Sequence, residues 1–337
     1  MRFGTTPPPQ WQSAASVAGM MRTVILALLP AILVSAWFYG AGIFFNIAVA
    51  TVVALATEAI ALRLRHKPVL ATLGDGSAIV AALLFAFSLP PLCPWWVTAS
   101  GMLFAIGLVK HAYGGLGYNL FNPAMAGYVL VLVSFPSLMT GWPEADIGDL
   151  DYQRPGIAAT LQYGLTGQFP DALTLDAVTR ATVLDRVREG LGAMRTMSEI
   201  RTHPVFGDFG GAGWEWVGNF VAMGGAALLW LGIIRWHVPA GVLGGLLGMA
   251  GFFWLLDPEI SASPGLHLFS GGAMLGAFFI ATDPVSSPTT ARGRLVYSVG
   301  IGVLTYIIRS WGSYADGIAF AVLLMNMEVP LIERWPR

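Results

Sequence analysis

The stretch SAIVAALLFAFSLPP (residues 77–91) decides the fold once it is set beside SGGAMLGAFFIATDP (residues 270–284). Each opens on a serine, Ser77 or Ser270, and places a phenylalanine eight residues later, Phe85 or Phe278. Each then carries a proline fourteen residues after the serine, Pro91 or Pro284, with Pro94 or Pro288 following shortly. Both are apolar, small-residue segments of the kind that crosses a bilayer. Chance recurrence of small, apolar and proline residues is the plain alternative, because such residues are common in spans. A true repeat predicts two related halves.

Working outward, apolar runs near the roughly 20 residues a span needs occur around 22–39, 42–62, 77–92, 94–110, 122–140, 214–235, 239–256, 266–282, 294–310 and 315–332. The repeat then falls in the third and eighth of ten spans, an odd separation of five, so its copies point in opposite directions. That is the inverted-repeat arrangement, in which broken helices frame a binding site between the halves. The expected fold is therefore all-α, an integral membrane protein of about ten transmembrane helices in a five-plus-five inverted repeat. Its regions are a cytoplasmic N-terminus (1–21), a first half (22–140), a long periplasmic loop (141–213), a second half (214–332) and a cytoplasmic C-terminus (333–337).

Composition agrees. The chain is 55% hydrophobic and 11% charged, against about 25% charged in a soluble domain, too little charge to coat a water-facing surface. A net charge of −1 gives no basic field for nucleic acid. Cys93 is the single cysteine, which excludes an internal disulfide and a protein-supplied four-cysteine iron–sulfur cluster. In LPPLCPWW a buried apolar role suits it. The N-terminal MRFGTTPPPQWQSAAS lacks the apolar core of a signal peptide, so the first spans direct insertion. Short-loop cations set orientation: Arg2, Arg22, Arg63, Arg65, Lys67, Lys110, Arg235, Arg292, Arg294, Arg334 and Arg337 alternate to one side, and both ends are expected in the cytoplasm. Arg309 is the exception, ending the ninth span on the outer side.

Few polar groups stand out. GGLGYNLFNPAMAGY (residues 114–128) opens the fifth span, and Asn119 and Asn122, three apart, share a helical face and offer amide groups to a planar heterocycle. Helix capping by Asn122 ahead of Pro123 is the structural alternative. Asp283, in ATDPVSSPTTARGR, sits at the exit of an apolar span, where a carboxylate is costly and often functional. It suits a cation or proton path, or else caps its own turn. Glu58 and Glu328 lie about a turn inside span ends, where interfacial placement explains them most simply. Asp75 precedes the third span, where a helix N-terminus favours an anion. In the long loop, DAVTRATVL (residues 176–184) spaces Asp176, Thr179 and Thr182 regularly, with no His, Cys or Lys beside them. An Asp- or Thr-capped helix through VLDRVREGL accounts for them structurally. No residue is assigned to bond-making catalysis, and no metal-ligand set is assigned.

SLPPLCPWW, GGLGYNLFNPAMAG, TDPVSSPTT and DGIAFAVLLMNMEVPLIE resemble, in that order, the RnfD family of membrane subunits from Rnf electron-transport complexes. The wider family also holds NqrB, the corresponding membrane component of the sodium-pumping NADH:quinone oxidoreductase. The resemblance spans the chain from first span to last. It implies an inner-membrane component of an ion-motive ferredoxin:NAD⁺ oxidoreductase, working with iron–sulfur and flavin subunits in the lipid bilayer, coupled to Na⁺ or H⁺ transport and inactive alone. It implies FMN joined by a phosphoester to a threonine, installed outside the membrane by a flavin transferase. The attachment pattern Asp-x-x-Ser/Thr-Gly-Ala-Thr maps onto Asp176, Thr179, Ala181 and Thr182. Arg180 stands where the pattern has Gly, and Val183 where Pro often follows. A turn requiring Gly would be impaired at Arg180, whereas its guanidinium suits the FMN phosphate or ring. The resemblance also implies a non-covalent riboflavin near Asn119 and Asn122 and an ion-path role for Asp283. Two other readings stand beside this one. A solute channel or transporter on the same repeat would use Asn119, Asn122 and Asp283 for substrate and need no flavin. The quinone-reducing relative usually has a longer N-terminal extension than the roughly twenty residues that precede the first span here.

Overall fold

A computed structural model of the chain describes residues 16–146, 155–170 and 174–334. Apart from two isolated bridges, Trp142 with Arg180 and Phe206 with Gly211, its regular structure among these residues is helical. Each of the ten apolar segments carries helix. The first five are Val17–Tyr39, Gly42–Leu64, Ser77–Ser88, Trp95–Leu103 with a π-helical continuation Phe104–Lys110, and Pro123–Ser134. The second five are Trp214–Trp230, His237–Leu256, a broken segment (Pro264–Leu268, Ala273–Leu275 and the π turn Gly276–Ile280), Ala291–Trp311 and Ile318–Arg334. Val17–Tyr39, Gly42–Leu64 and His237–Leu256 are long and apolar enough to cross a membrane by length and composition.

Several segments are shorter than their apolar runs, and proline is the cause. The third stops at Ser88, just before Leu89-Pro90-Pro91, and the fifth stops at Ser134, before Phe135-Pro136. Proline lacks an N–H and drives the residue before it out of helical geometry. The eighth segment breaks between Leu268 and Ala273, where Gly271 takes φ +64°, a conformation that favours glycine.

Neighbours recur between the halves. The first segment packs on the sixth, and the fifth on the tenth. Within the first half the second segment packs on the third and fourth; within the second, the seventh packs on the eighth and ninth. Small residues permit the closest crossings. A side chain at Gly302 would run into the Val242 carbonyl and the Leu246 amide, and one at Gly224 into the Ala27 carbonyl. Gly302→Val is expected to pry the seventh and ninth segments apart and cost about 1–3 kcal/mol, the usual range for overpacking. Thermal unfolding in detergent measures this, and an unchanged midpoint would show that the crossing tolerates a side chain.

The connection after residue 140 is folded. It holds helices Ile157–Thr166, Leu175–Val178, Val183–Gly192 and Met197–Ile200. Val183, Leu184, Val187, Met197 and Ile200 bury against Ala262 and Leu266, which docks it onto the first helix of the eighth segment and the loop just ahead of it.

Two charged groups depart from the simple sequence reading. Glu58 is buried and paired within the protein: it is 0% exposed, with Oε1 2.6 Å from Lys110 Nζ and 3.3 Å from His111 Nε2. Glu328 is exposed. Arg309, the exception to the charge alternation, is 5% exposed and pairs with Asp316 Oδ1 at 3.0 Å. Its charge is neutralised inside the bundle and is not a free loop cation.

Candidate functional site

Two cavities are lined by residues from both the first five and the second five segments. The first, about 150 Å³, is lined by Trp142, Thr182, Asp185, Arg188, Ser270 and Asp316 among others. The second, about 160 Å³, collects Ser77, Lys110, Asn119, Asn122, Phe278 and Asp283. Three elements separate them by a turn or less. The third segment gives Phe87 to the first and Leu84 to the second; the fifth gives Met125 and Ala124; the eighth gives Ile280 and Phe279.

Thr182 reaches the first cavity because it caps a helix. It precedes Val183–Gly192, its Oγ1 accepts from the Asp185 amide at 3.3 Å, and it donates to Asp185 Oδ2 at 2.6 Å. Asp185 Oδ2 in turn accepts from the Thr182 amide at 3.3 Å, closing a capping box. The expected capped helix is therefore present, and the threonine is also half-buried on a cavity wall. The hydroxyl stands at the N-terminus of a ten-residue helix, where free amides and the helix dipole favour an anion.

The segment leading to Thr182 is pinned. Arg180 donates its amide to the Trp142 carbonyl at 2.8 Å, and Thr179 Oγ1 donates to the Leu175 carbonyl at 2.9 Å. Arg180 does not occupy a left-handed conformation: among the described non-glycine residues only His66 and Met194 have positive φ. In the folded chain the backbone here is one that any residue adopts, so no left-handed turn calls for Gly at Arg180. The Arg180 side chain turns to the Thr179 carbonyl (3.0 Å) and Glu144 (3.8 Å). Arg188 is the cation on the first cavity, and it donates to the Ser313 carbonyl. Ala181 and Arg180 line a small neighbouring recess with Tyr39 and Trp214. The side chain of Asp176 lies outside the described residues.

Planar walls complete the first cavity. Trp142 and Trp214 lie 4.9 Å apart between centroids, with Tyr39 5.2 Å from Trp214. Ser270 is 1% exposed, yet its Oγ has no hydrogen-bond partner, an unusual state for a buried hydroxyl. Asp316 braces the glycine turn beside it, accepting from the Gly272 amide at 2.6 Å. His203 lies in the same connection. Burial first, then the Arg186 charge, hold its pKa below the ordinary histidine value, against an opposing pull from Glu144.

Around the second cavity Asn122 caps the fifth segment, Oδ1 accepting from the Met125 amide at 3.2 Å. It also bridges the halves: its amide donates to Asn326 Oδ1 at 3.1 Å, and its Nδ2 donates to the Ile280 carbonyl at 3.3 Å. Asn326 Nδ2 donates to the Ser286 carbonyl and to Tyr297 Oη at 3.0 and 2.8 Å. Asn119 Nδ2 donates to the Phe121 carbonyl at 3.0 Å. Asp283 caps its own turn, accepting from the Val285 amide and Ser286 Oγ at 3.1 and 2.9 Å. Asn119 and Asn122 thus meet Asp283, distant from both in sequence, on one cavity. Sequence reasoning missed Asp185, Arg188, Ser270, Asn326 and the buried role of Lys110. Only Asp185 had a local signal, the threonine-to-acid spacing of a capping box.

Helices of spanning length, charges paired inside the bundle and two cavities lined from both sets of five segments define the class: a polytopic helical membrane protein. The family model described as NQR2, RnfD, RnfE matches residues 5–337. The chain is 50% identical, over 99% of its length and 97% of the relative's, to an ion-translocating oxidoreductase complex subunit (the D component) from Aeromonas hydrophila. It is 45% identical to the D component from Vibrio cholerae (100% and 98% covered) and 44% identical to that from Escherichia fergusonii (100% and 97%). The chain belongs to the NQR2, RnfD, RnfE family.

Proposed function

We propose that this chain is the membrane flavoprotein subunit of an Rnf-type ion-translocating oxidoreductase complex, with FMN ester-linked to Thr182 and riboflavin held in the second cavity. The observation that carries this reading is the placement of Thr182: a hydroxyl at a helix N-terminus, on the wall of an aromatic cavity, whose inner end lies one helical turn from a second cavity holding Asn119, Asn122 and Asp283. The residues fit. Thr182 supplies the ester oxygen, Asp185 is already positioned to accept its proton, Arg188 and the helix N-terminus favour a phosphate, and Ser270 holds an unsatisfied hydroxyl for a polar ring edge. Trp142 and Trp214 offer planar faces. When bound, the flavins supply one-electron redox chemistry, while the protein sets position and electrostatics.

The matching neighbours within the two halves support a five-plus-five inverted repeat, with the folded connection on the periplasmic face of the inner membrane and both ends cytoplasmic. Asp283, on the second cavity at the end of the eighth segment, is the candidate for the Na⁺ or H⁺ path. Iron–sulfur and flavin partner subunits and a flavin transferase complete the system.

Flavin counting tests the proposal. The purified full-length chain, made with its transferase, is expected to release about one riboflavin per chain on acid denaturation and to keep about one flavin on the polypeptide. A colourless chain, despite an active transferase, would instead leave a transporter built on the same fold.

A further inference from the structure

Lys110 is the one cation among the described residues lining the second cavity. It is 2% exposed, at the end of the π turn Phe104–Lys110. Its ammonium donates to Glu58 Oε1 at 2.6 Å and to Ser77 Oγ at 2.8 Å. The serine is able to accept because its own proton goes to Asp75 Oδ1, 2.6 Å away. An ammonium has three donors, and these contacts engage two.

The charges are arranged with polarity. Glu58 and His111 stand behind Lys110 and do not line the cavity, whereas Lys110 and Ser77 do. The ion pair therefore turns its positive end inward. Asp283 is the other ionisable group on the wall, and its two oxygens are held by the Val285 amide and Ser286 Oγ. Burying a lysine and a glutamate costs several kcal/mol per ion before their attraction offsets it. Placing such a pair against a cavity serves a ligand that uses the charge.

Resting on the reading of the second cavity as a flavin site, we infer that Lys110 is its ligand-binding cation: the ammonium anchors the carbonyl-bearing edge of an isoalloxazine ring and makes the ring easier to reduce. The physical reason is direct. Reduction places negative charge on the ring, and a buried positive pole stabilises that charge more strongly than water-screened charges do. Asn119 offers amide contacts on the same wall, and Ser77 keeps the ammonium in register with Glu58.

The test uses the full-length chain carrying Thr182→Ala, so that the optical signal comes from non-covalent flavin alone. Lys110→Met is expected either to retain less than a tenth of the parent's riboflavin or to shift the one-electron equilibrium at least tenfold toward the oxidised form, about 59 mV. Lys110→Arg is expected to fall between the two. Because Lys110→Met leaves the buried Glu58 with His111 as its remaining partner, the double variant Glu58→Gln, Lys110→Met removes both charges and keeps the packing. It is expected to melt near the parent and show the same flavin defect. Full riboflavin occupancy at an unchanged potential in either variant overturns the role of Lys110 and leaves the cavity reading intact. A parent chain that releases no riboflavin overturns the cavity reading itself.

Discussion

Thr182→Ala is expected to abolish covalent flavin fluorescence in the denatured polypeptide band, while Thr182→Ser retains it. A phosphoester needs a hydroxyl oxygen at this position, and serine supplies one where alanine cannot. The alanine variant still folds. Losing an N-cap costs about 1 kcal/mol, and the helix it caps is anchored by Val183, Leu184 and Val187 in their own apolar cluster. Thermal unfolding close to wild type, together with complete loss of fluorescence, separates lost attachment from lost structure. Fluorescence persisting in Thr182→Ala would move the attachment elsewhere. Arg180→Gly sharpens the same experiment. Since Arg180 sits in an isolated bridge with Trp142 and needs no left-handed backbone, restoring glycine should not increase loading. A clear rise would show that the side chain itself obstructs the transferase.

Asp316→Ala should destabilise the protein by about 3 kcal/mol, the low end of the cost of removing one partner from a buried ion pair, because the Asp316 side chain is 23% exposed. Arg309 has a side chain 1% exposed and leans on Asp316 Oδ1, with the His267 and Ser270 carbonyls as its remaining acceptors. The same carboxylate accepts from the Gly272 and Ile318 amides. One substitution therefore strands a guanidinium and frees two backbone donors beside the first cavity. Arg309→Met combined with Asp316→Ala should recover much of the loss by removing the stranded charge. A melting midpoint for Asp316→Ala equal to wild type would mean that water reaches Arg309 and screens it.

The two buried cations explain each other. Lys110 ends the fourth segment and donates to the Ser77 hydroxyl at the start of the third; Arg309 lies in the last turn of the ninth and donates to the Ser270 backbone carbonyl in the break of the eighth. Ser77 and Ser270 are the two serines that open the repeated stretches. The internal likeness visible as serine, phenylalanine and proline spacing thus has a counterpart in charge. That counterpart was hidden in the sequence, where Lys110 and Arg309 read only as topology markers, one obeying the loop rule and the other breaking it.

Legibility differed by residue for a physical reason. The helical segments, their proline ends and the capped helix after Thr182 follow from local chemistry: apolar runs, a missing N–H, and a hydroxyl within reach of amides three residues on. Those were decided by the sequence itself. The pairing of Glu58 with Lys110 across 52 positions, the bridge from Asn122 to Asn326 across 204, and the meeting of Asn119 with Asp283 on one cavity depend on how helices pack. So does the position of Thr182 on a wall shared with Ser270 and Asp316. Hydropathy and spacing register which residues face apolar surroundings, but not which distant residue stands opposite. Only the tertiary structure decided those partners, because a buried charge or amide is satisfied by whatever the packing brings to it.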